Sequence, residues 1–192
     1  MSAQQPDLFG ASAPILPSGM ALTADLVTAR EERALIDRID SSGLAPFRFH
    51  GWFGNRLTAS FGHGYDFARG SLENAAPLPE WLLPIRQRVA ARFGLDPAVF
   101  VQALVIRYDP GAGIGWHRDR PQFDRVLGLS LGHATDLRMR RRLPGGSFER
   151  CKVLLEPRSA YLLDGPARSE WQHEILPLTA PRWSVTFRSL RP

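Results

Sequence analysis

The second half of the chain is cut into short apolar runs by proline and glycine, and this punctuation constrains the fold most. Residues 101–108, 126–131, 152–155, 160–163 and 182–188 are rich in apolar or β-branched side chains. Pro110-Gly111, Pro144-Gly145-Gly146, Gly165-Pro166 and Pro181 separate them. Runs this short, bounded by turn residues, read as strands. Two helices precede them. Thr28 and Glu31 fit a capping box, followed by Leu35, Ile36 and Ile39 at helical spacing until Gly43. Leu82, Ile85, Val89 and Phe93 form a second stripe, with Pro84 in the first turn and Gly94 at the end. Two helices and many short strands point to a mainly β, α+β domain, a sandwich or jelly roll with helical support. Residues 44–80 hold Trp52, Phe53, Phe61, Tyr65 and Phe67 among glycines and read as hairpins or ordered loops, not as a core strand. Residues 1–19, rich in Ala, Pro, Gln and Ser, read as a disordered arm, leaving 20–192 as one domain.

Composition excludes several classes. A single cysteine, Cys151, rules out a disulfide framework and a cysteine-rich zinc module. No apolar run approaches the roughly 18 residues of a membrane span, and Met1 to Gly19 lack the pattern of a secretory signal. A monomer in the cytoplasm, with no membrane partner, is the expectation. All 24 basic residues but Lys152 are arginine, against 19 acidic residues, for a net charge of +5. Codon bias explains that excess as readily as a phosphate-binding surface does.

Chemistry concentrates around His117 and Asp119. Two apart on an extended chain, they point to the same side, and a later histidine would complete two imidazoles and one carboxylate. That set leaves one face of an octahedral metal open, as non-haem Fe(II) oxygenases require. In the last run, Arg182, Ser184, Thr186 and Arg188 share one face, and Trp183, Val185 and Phe187 the other. The polar face is either the wet side of an edge strand or the interior of a barrel. In the second case two inward arginines, about 20 Å apart at Cα, could hold the two ends of a short dicarboxylate.

Taken together, these residues resemble the AlkB-type Fe(II)- and 2-oxoglutarate-dependent dioxygenases. The resemblance spans about residues 45–190. It rests on His117-x-Asp119, then His173, then Arg182 and Arg188 around a Thr-Phe-Arg ending, with Tyr108-x-Pro110-Gly111 nine residues before the first histidine. It implies a double-stranded β-helix (jelly roll) core at about 100–190, supporting helices, and an N-terminal nucleotide-recognition extension at about 44–80. It implies that His117, Asp119 and His173 bind Fe(II), and that Arg182 and Tyr108 hold the distal carboxylate of 2-oxoglutarate. Arg188 would face the carboxylate nearest the metal, and O2 is the co-reactant. Two positions depart from the pattern: Ile106 and Ser184 stand where many members carry Asn. Ile106 leaves one donor to the cosubstrate missing, and both departures imply tuned cosubstrate affinity, not lost activity.

The implied reaction is oxidative dealkylation of N-alkylated nucleic-acid bases, with DNA favoured over RNA. The alternatives are a tRNA-modifying enzyme, a protein or small-molecule oxygenase on the same site, or a nucleic-acid-binding module without turnover. Residues 55–67 resemble the recognition segment of the DNA-repair members, which places Tyr65 and Phe67 in the base pocket with Arg56 nearby. Arg140 and Arg141, in the densest charge run, are candidate phosphate or base contacts at the pocket mouth. In the arm, Gln5-Pro6-Asp7-Leu8-Phe9 resembles the peptide by which bacterial repair proteins dock on the sliding clamp; Gln5, Leu8 and Phe9 would carry that contact.

Overall fold

The computed structural model describes residues 16–49, 52–66, 71–74 and 76–191. In chain order its elements begin with β1 (Met20–Thr23), α1 (Ala29–Asp40), β2 (Ala45–Phe49), β3 (Trp52–Phe61), β4 (His63–Asp66) and β5 (Ser71–Asn74). Then come α2 (Leu83–Arg92), β6 (Phe100–Tyr108), β7 (Ile114–His117), β8 (Phe123–Gly132) and β9 (Thr135–Arg142). The chain ends in β10 (Phe148–Leu155), β11 (Ala160–Leu163), α3 (Gly165–Ser169), β12 (Gln172–Ile175) and β13 (Arg182–Leu190).

The strands form a double-stranded β-helix. A seven-stranded sheet, β1-β11-β8-β13-β6-β3-β2, faces a four-stranded sheet, β10-β9-β12-β7, and β4 and β5 make a separate hairpin. All the pairings are antiparallel. Alternation sorts the large sheet into two faces. Ala103, Val105, Leu127, Leu129, Leu131, Val185 and Phe187 pack outward against Leu35 and Ile39 of α1 and Ile85 and Val89 of α2. Fully burying one such side chain is worth roughly 1.5–3 kcal/mol. The inward face meets the small sheet through Ile106, Tyr108, Val126, Leu137, Met139, Val153 and Leu155.

Both helices start and stop on the expected signals. Thr28 accepts from the Glu31 N–H, and Glu31 accepts from the Thr28 N–H, which closes the capping box. Pro84 lies in the first turn of α2.

Two expectations change. β3 is not a loop or an isolated hairpin: it pairs with β6 from Arg56 opposite Tyr108 to Phe61 opposite Ala103. Ala59 and Phe61 pack against the helix-side core, so its other alternate residues, Arg56, Thr58 and Ser60, face the barrel interior. Residues 16–19, assigned to the arm by composition, are docked. Leu16 packs on the inner core, and the Ser18 and Gly19 carbonyls accept from Ala167 and Asp164. Gln5, Leu8, Phe9 and Phe67 lie outside the described residues.

Candidate metal centre and cosubstrate pocket

β7 and β12 are neighbours in the small sheet, and their register sets His173 opposite His117. The two rings stand edge to face with centroids 4.2 Å apart. Asp119 follows β7 directly, and its Oδ2 lies 3.8 Å from His173 Nε2. Cis ligands on one octahedral ion at about 2.1 Å are about 3.0 Å apart, so a sub-ångström closure brings this pair to binding distance. His117 Nδ1 lies 2.9 Å from the Gly115 carbonyl, an acceptor only. The proton therefore sits on Nδ1, and Nε2 is free to ligate.

The charges suit a divalent metal. Burial lowers the His117 imidazole, and burial and then His117 push His173 down to about 3. Both rings are neutral, as metal ligation requires. Burial alone would raise the Asp119 carboxyl. Arg188 foremost, then His173, His117 and Arg168, reverse that and hold it well below the usual carboxylate range. Two neutral imidazoles and one carboxylate are the donor set of a mononuclear Fe(II) oxygenase site, so these residues fit that ion by chemistry, although among the described residues they do not yet close into a metal-holding cluster.

The polar face of β13 settles between the two readings open from the sequence: it lies inside the barrel. Arg182 is 1% exposed and Arg188 is 8% exposed. Arg182 donates from Nε to Ser130 Oγ (3.2 Å) and lies 5.4 Å from the Tyr108 ring centroid. Tyr108 itself is opposite Arg182 in the register. Arg188 donates from Nε to Asp119 Oδ1 (2.6 Å) and from Nη1 to Gln102 Oε1 (2.9 Å). The two guanidiniums thus stand at opposite ends of one strand, one of them against the carboxylate of the metal triad.

Arg56, across from Tyr108 on β3, joins the same interior. Its guanidinium lies 4.0 Å from the Phe47 ring centroid, and its Nε is buried without a hydrogen-bond partner. Burial lowers its pKa, opposed by Tyr108 and reinforced by Arg188, and its charge in turn disfavours protonation of His117. Tyr65 lies on β4 opposite Leu72.

Arg140 and Arg141 are not brought to this pocket. As neighbours on a strand they point to opposite sides. Arg140 is on the outer face of the small sheet, donating from Nε to Gln172 (2.7 Å) and stacked 4.3 Å from the Trp116 ring centroid. Arg141 is tied to Glu149 (2.7 Å) and Glu170 (2.9 Å).

Sequence reasoning missed three residues. Gln102 passes the Arg188 contact on: its Nε2 donates to Ser60 Oγ (3.0 Å), and Ser60 Oγ donates to the His63 carbonyl (3.1 Å). Arg168 reaches from α3 to the carbonyls of Asp119, Arg120 and Phe123, which ties down the loop carrying Asp119. Tyr161 lies over Gly128 with its phenol among Arg182, Asp119, Tyr108 and Arg188. Only Gly128, a glycine inside an apolar strand, signals that close approach in the sequence.

Known proteins place the chain. The family model of the 2OG-Fe(II) oxygenase superfamily matches residues 19–188. The chain belongs to that superfamily, an enzyme family that uses Fe(II), 2-oxoglutarate and O2. Within it the chain is AlkB-like. It is 28% identical over 169 residues to the tRNA (carboxymethyluridine(34)-5-O)-methyltransferase alkbh8 of Xenopus tropicalis, covering 85% of this chain and 26% of that protein. It is 27% identical over 153 residues to the alpha-ketoglutarate-dependent dioxygenase alkB homolog 3 of Mus musculus, covering 71% of this chain and 52% of that protein. The chain thus spans about a quarter and about half of these two relatives. The fold matches the structure of OsALKBH1 with a TM-score of 0.68 at 18% identity, over 91% of this chain and 98% of that one.

Proposed function

We propose that the chain oxidatively dealkylates N-alkylated bases in nucleic acid, with DNA the favoured substrate and RNA the alternative. Relatives whose names concern tRNA modification and alkylated-DNA repair support the two arms of that reading. Iron held by His117, Asp119 and His173 would supply the oxidation, in which 2-oxoglutarate and O2 become succinate and CO2 as an N-methyl is hydroxylated and the product sheds formaldehyde to leave the restored base. Arg182 and Tyr108 would hold the distal carboxylate of the cosubstrate, and Arg188 would face its other end. The outer core and the small sheet keep bulk water from the interior, where these charges act most strongly.

Arg56 is the observation that carries the nucleic-acid reading. A divalent ion and a dianionic cosubstrate cancel each other, so three interior guanidiniums, Arg56, Arg182 and Arg188, still outnumber the Asp119 carboxylate by two. A guanidinium whose buried Nε has no hydrogen-bond partner, and whose charge reaches His117, suits an anionic substrate such as a nucleotide phosphate. Tyr65 and Phe67 would line the base pocket. A base inside a duplex must be flipped or already single-stranded to enter.

Methylated single- and double-stranded DNA and RNA oligonucleotides, with Fe(II), ascorbate and 2-oxoglutarate, test the reading. Formaldehyde release abolished by His117→Ala and strongly reduced by Arg56→Ala is expected. Turnover of 2-oxoglutarate with every methylated oligonucleotide left intact would overturn it in favour of a protein or small-molecule oxygenase. Docking of a cytoplasmic monomer on a bacterial sliding clamp through residues 5–9 belongs to the same proposal. A pull-down on immobilised clamp, with Leu8→Ala and Phe9→Ala as controls, tests that part.

A further inference from the structure

The small sheet has an outer face, turned away from His117 and His173, that the proposed reaction leaves unused. On β9, Leu137 and Met139 are buried, so Arg138, Arg140 and Arg142 point outward. On β10, Val153 and Leu155 are buried, so Phe148, Arg150 and Lys152 share that outer face. The register then sets Arg150 opposite Arg140 and Lys152 opposite Arg138. Like charges directly opposite one another destabilise a sheet.

Some arginines elsewhere are neutralised by carboxylates: Arg88 by Glu31, Arg125 by Asp164, Arg158 by Asp25 and Glu32. On the outer face Arg138 has Glu174, and Lys152 has Asp136. Among the described residues, no carboxylate forms an ion pair with Arg140, Arg142 or Arg150. Codon bias accounts for an excess of arginine but does not by itself set basic residues directly opposite one another, as Arg150 and Arg140 and Lys152 and Arg138 are. Arg140 is also held in place, its guanidinium 4.3 Å from the Trp116 ring centroid and 4.6 Å from that of Phe148, with Nε spent on Gln172. Its two Nη groups remain available as a fork, the geometry that suits a phosphate. A cleft of about 490 Å³ next to this face is lined by His133, Asp136, Arg138 and Lys152.

We propose that this face is a second nucleic-acid-binding surface, taking backbone phosphates of the strand that flanks the reacting base. It rests on the nucleic-acid reading above and deepens it. Same-face residues on a strand repeat every 6.7 Å or so, close to the spacing of successive phosphates on an extended strand.

The test is the salt dependence of binding to a long unmodified single-stranded oligonucleotide, read by fluorescence anisotropy on the full chain. Arg142→Gln with Arg150→Gln, both exposed positions, removes two phosphate contacts. The slope of log affinity against log salt should fall by about 1.4, with weaker binding at low salt. A slope and affinity equal to the wild type would overturn the surface. Demethylation by the wild-type chain is measured alongside. If it persists while the variant's slope is unchanged, this surface fails and the proposed function stands.

A separate observation concerns the cosubstrate. The barrel interior also holds Tyr161, a phenol 8% exposed whose ring and hydroxyl lie over Gly128 on the inward face of β8. The register sets Tyr161 beside Gly128, and Gly128 beside Thr186, which lies between Arg182 and Arg188 on β13. We infer that the Tyr161 hydroxyl donates to a carboxylate of 2-oxoglutarate, restoring a donor that Ile106 omits. Tyr161→Phe removes one oxygen and leaves the ring packing intact. Calorimetry with Mn(II) in place of iron should show 2-oxoglutarate bound at least about tenfold more weakly, with Mn(II) affinity unchanged. Affinity within about twofold of the wild type would overturn the assignment.

Discussion

Arg188 donates from Nε to Asp119 Oδ1 at 2.6 Å, while its Nη1 donates to Gln102. One guanidinium therefore fixes the carboxylate of the candidate metal triad and, through Gln102 and Ser60, reaches the backbone of His63 at the start of the β4–β5 hairpin. The carboxylate does not stand alone in a dry interior, where an uncompensated charge costs several kcal/mol.

Removing that partner gives the first prediction. In Arg188→Met the Asp119 carboxylate is buried and unpaired, and stability should fall by about 3–5 kcal/mol. The pH dependence follows from the native pKa lying below the unfolded value of 3.8. The wild-type contribution is complete above that value and is lost as pH falls through the lower native one. Without Arg188, burial raises the native pKa. Mn(II) titrations at a series of pH values should show binding lost at higher pH in the variant than in the wild type.

Gln102→Leu separates the same chain of contacts from β3 without touching Asp119. It leaves one buried Arg188 donor and the Ser60 hydroxyl without this partner, at about 1–3 kcal/mol. Denaturant unfolding should show that loss while Mn(II) affinity stays near the wild-type value.

Arg168→Met tests the loop that carries Asp119. Three carbonyls, those of Asp119, Arg120 and Phe123, lose a shared donor. Amide exchange should speed up across residues 118–123 more than in β13, and Mn(II) should bind more weakly.

The clustering of His117 and Asp119 and the two faces of β13 were legible because both obey short rules. A two-residue spacing aims His117 and Asp119 together, and period 2 divides Arg182, Ser184, Thr186 and Arg188 from Trp183, Val185 and Phe187. β3 carries the same alternation in Arg56, Thr58 and Ser60 against Ala59 and Phe61, but its place in the sheet comes from pairing with β6, more than forty residues away. Local glycines and aromatics spoke louder. The arginine run misled for a geometric reason: adjacent residues of a strand face opposite ways, so Arg140 and Arg141 cannot serve one pocket together. Tyr161 has no motif of its own.

The α1 cap supplies an acid-sensitive contribution. The Thr28 N–H foremost, then Arg88, lowers the exposed Glu31 carboxyl from 4.5 to about 2. A depressed native pKa means that this stabilisation is complete above the unfolded value of 4.5 and fades as pH falls towards 2. Glu31→Gln should therefore lower Tm at neutral pH, and the difference from the wild type should shrink across that acid window.

Gly128 is tightly coupled to the barrel interior through Tyr161. A methyl group there would overlap the Tyr161 ring and lie 2.6 Å from its hydroxyl oxygen. Gly128 sits between Tyr161 on β11 and Thr186 on β13, so the strand cannot shift without disturbing both pairings. Gly128→Ala should cost about 1–3 kcal/mol through overpacking and turn the phenol out of the pocket, so the gain in Tm on adding 2-oxoglutarate with Mn(II) shrinks. Tyr161→Ala removes the obstructing ring. In that background Gly128→Ala should cost much less, and a double-mutant cycle by thermal unfolding measures the difference. Equal costs in the two backgrounds would show that Tyr161 does not occupy the space above Gly128.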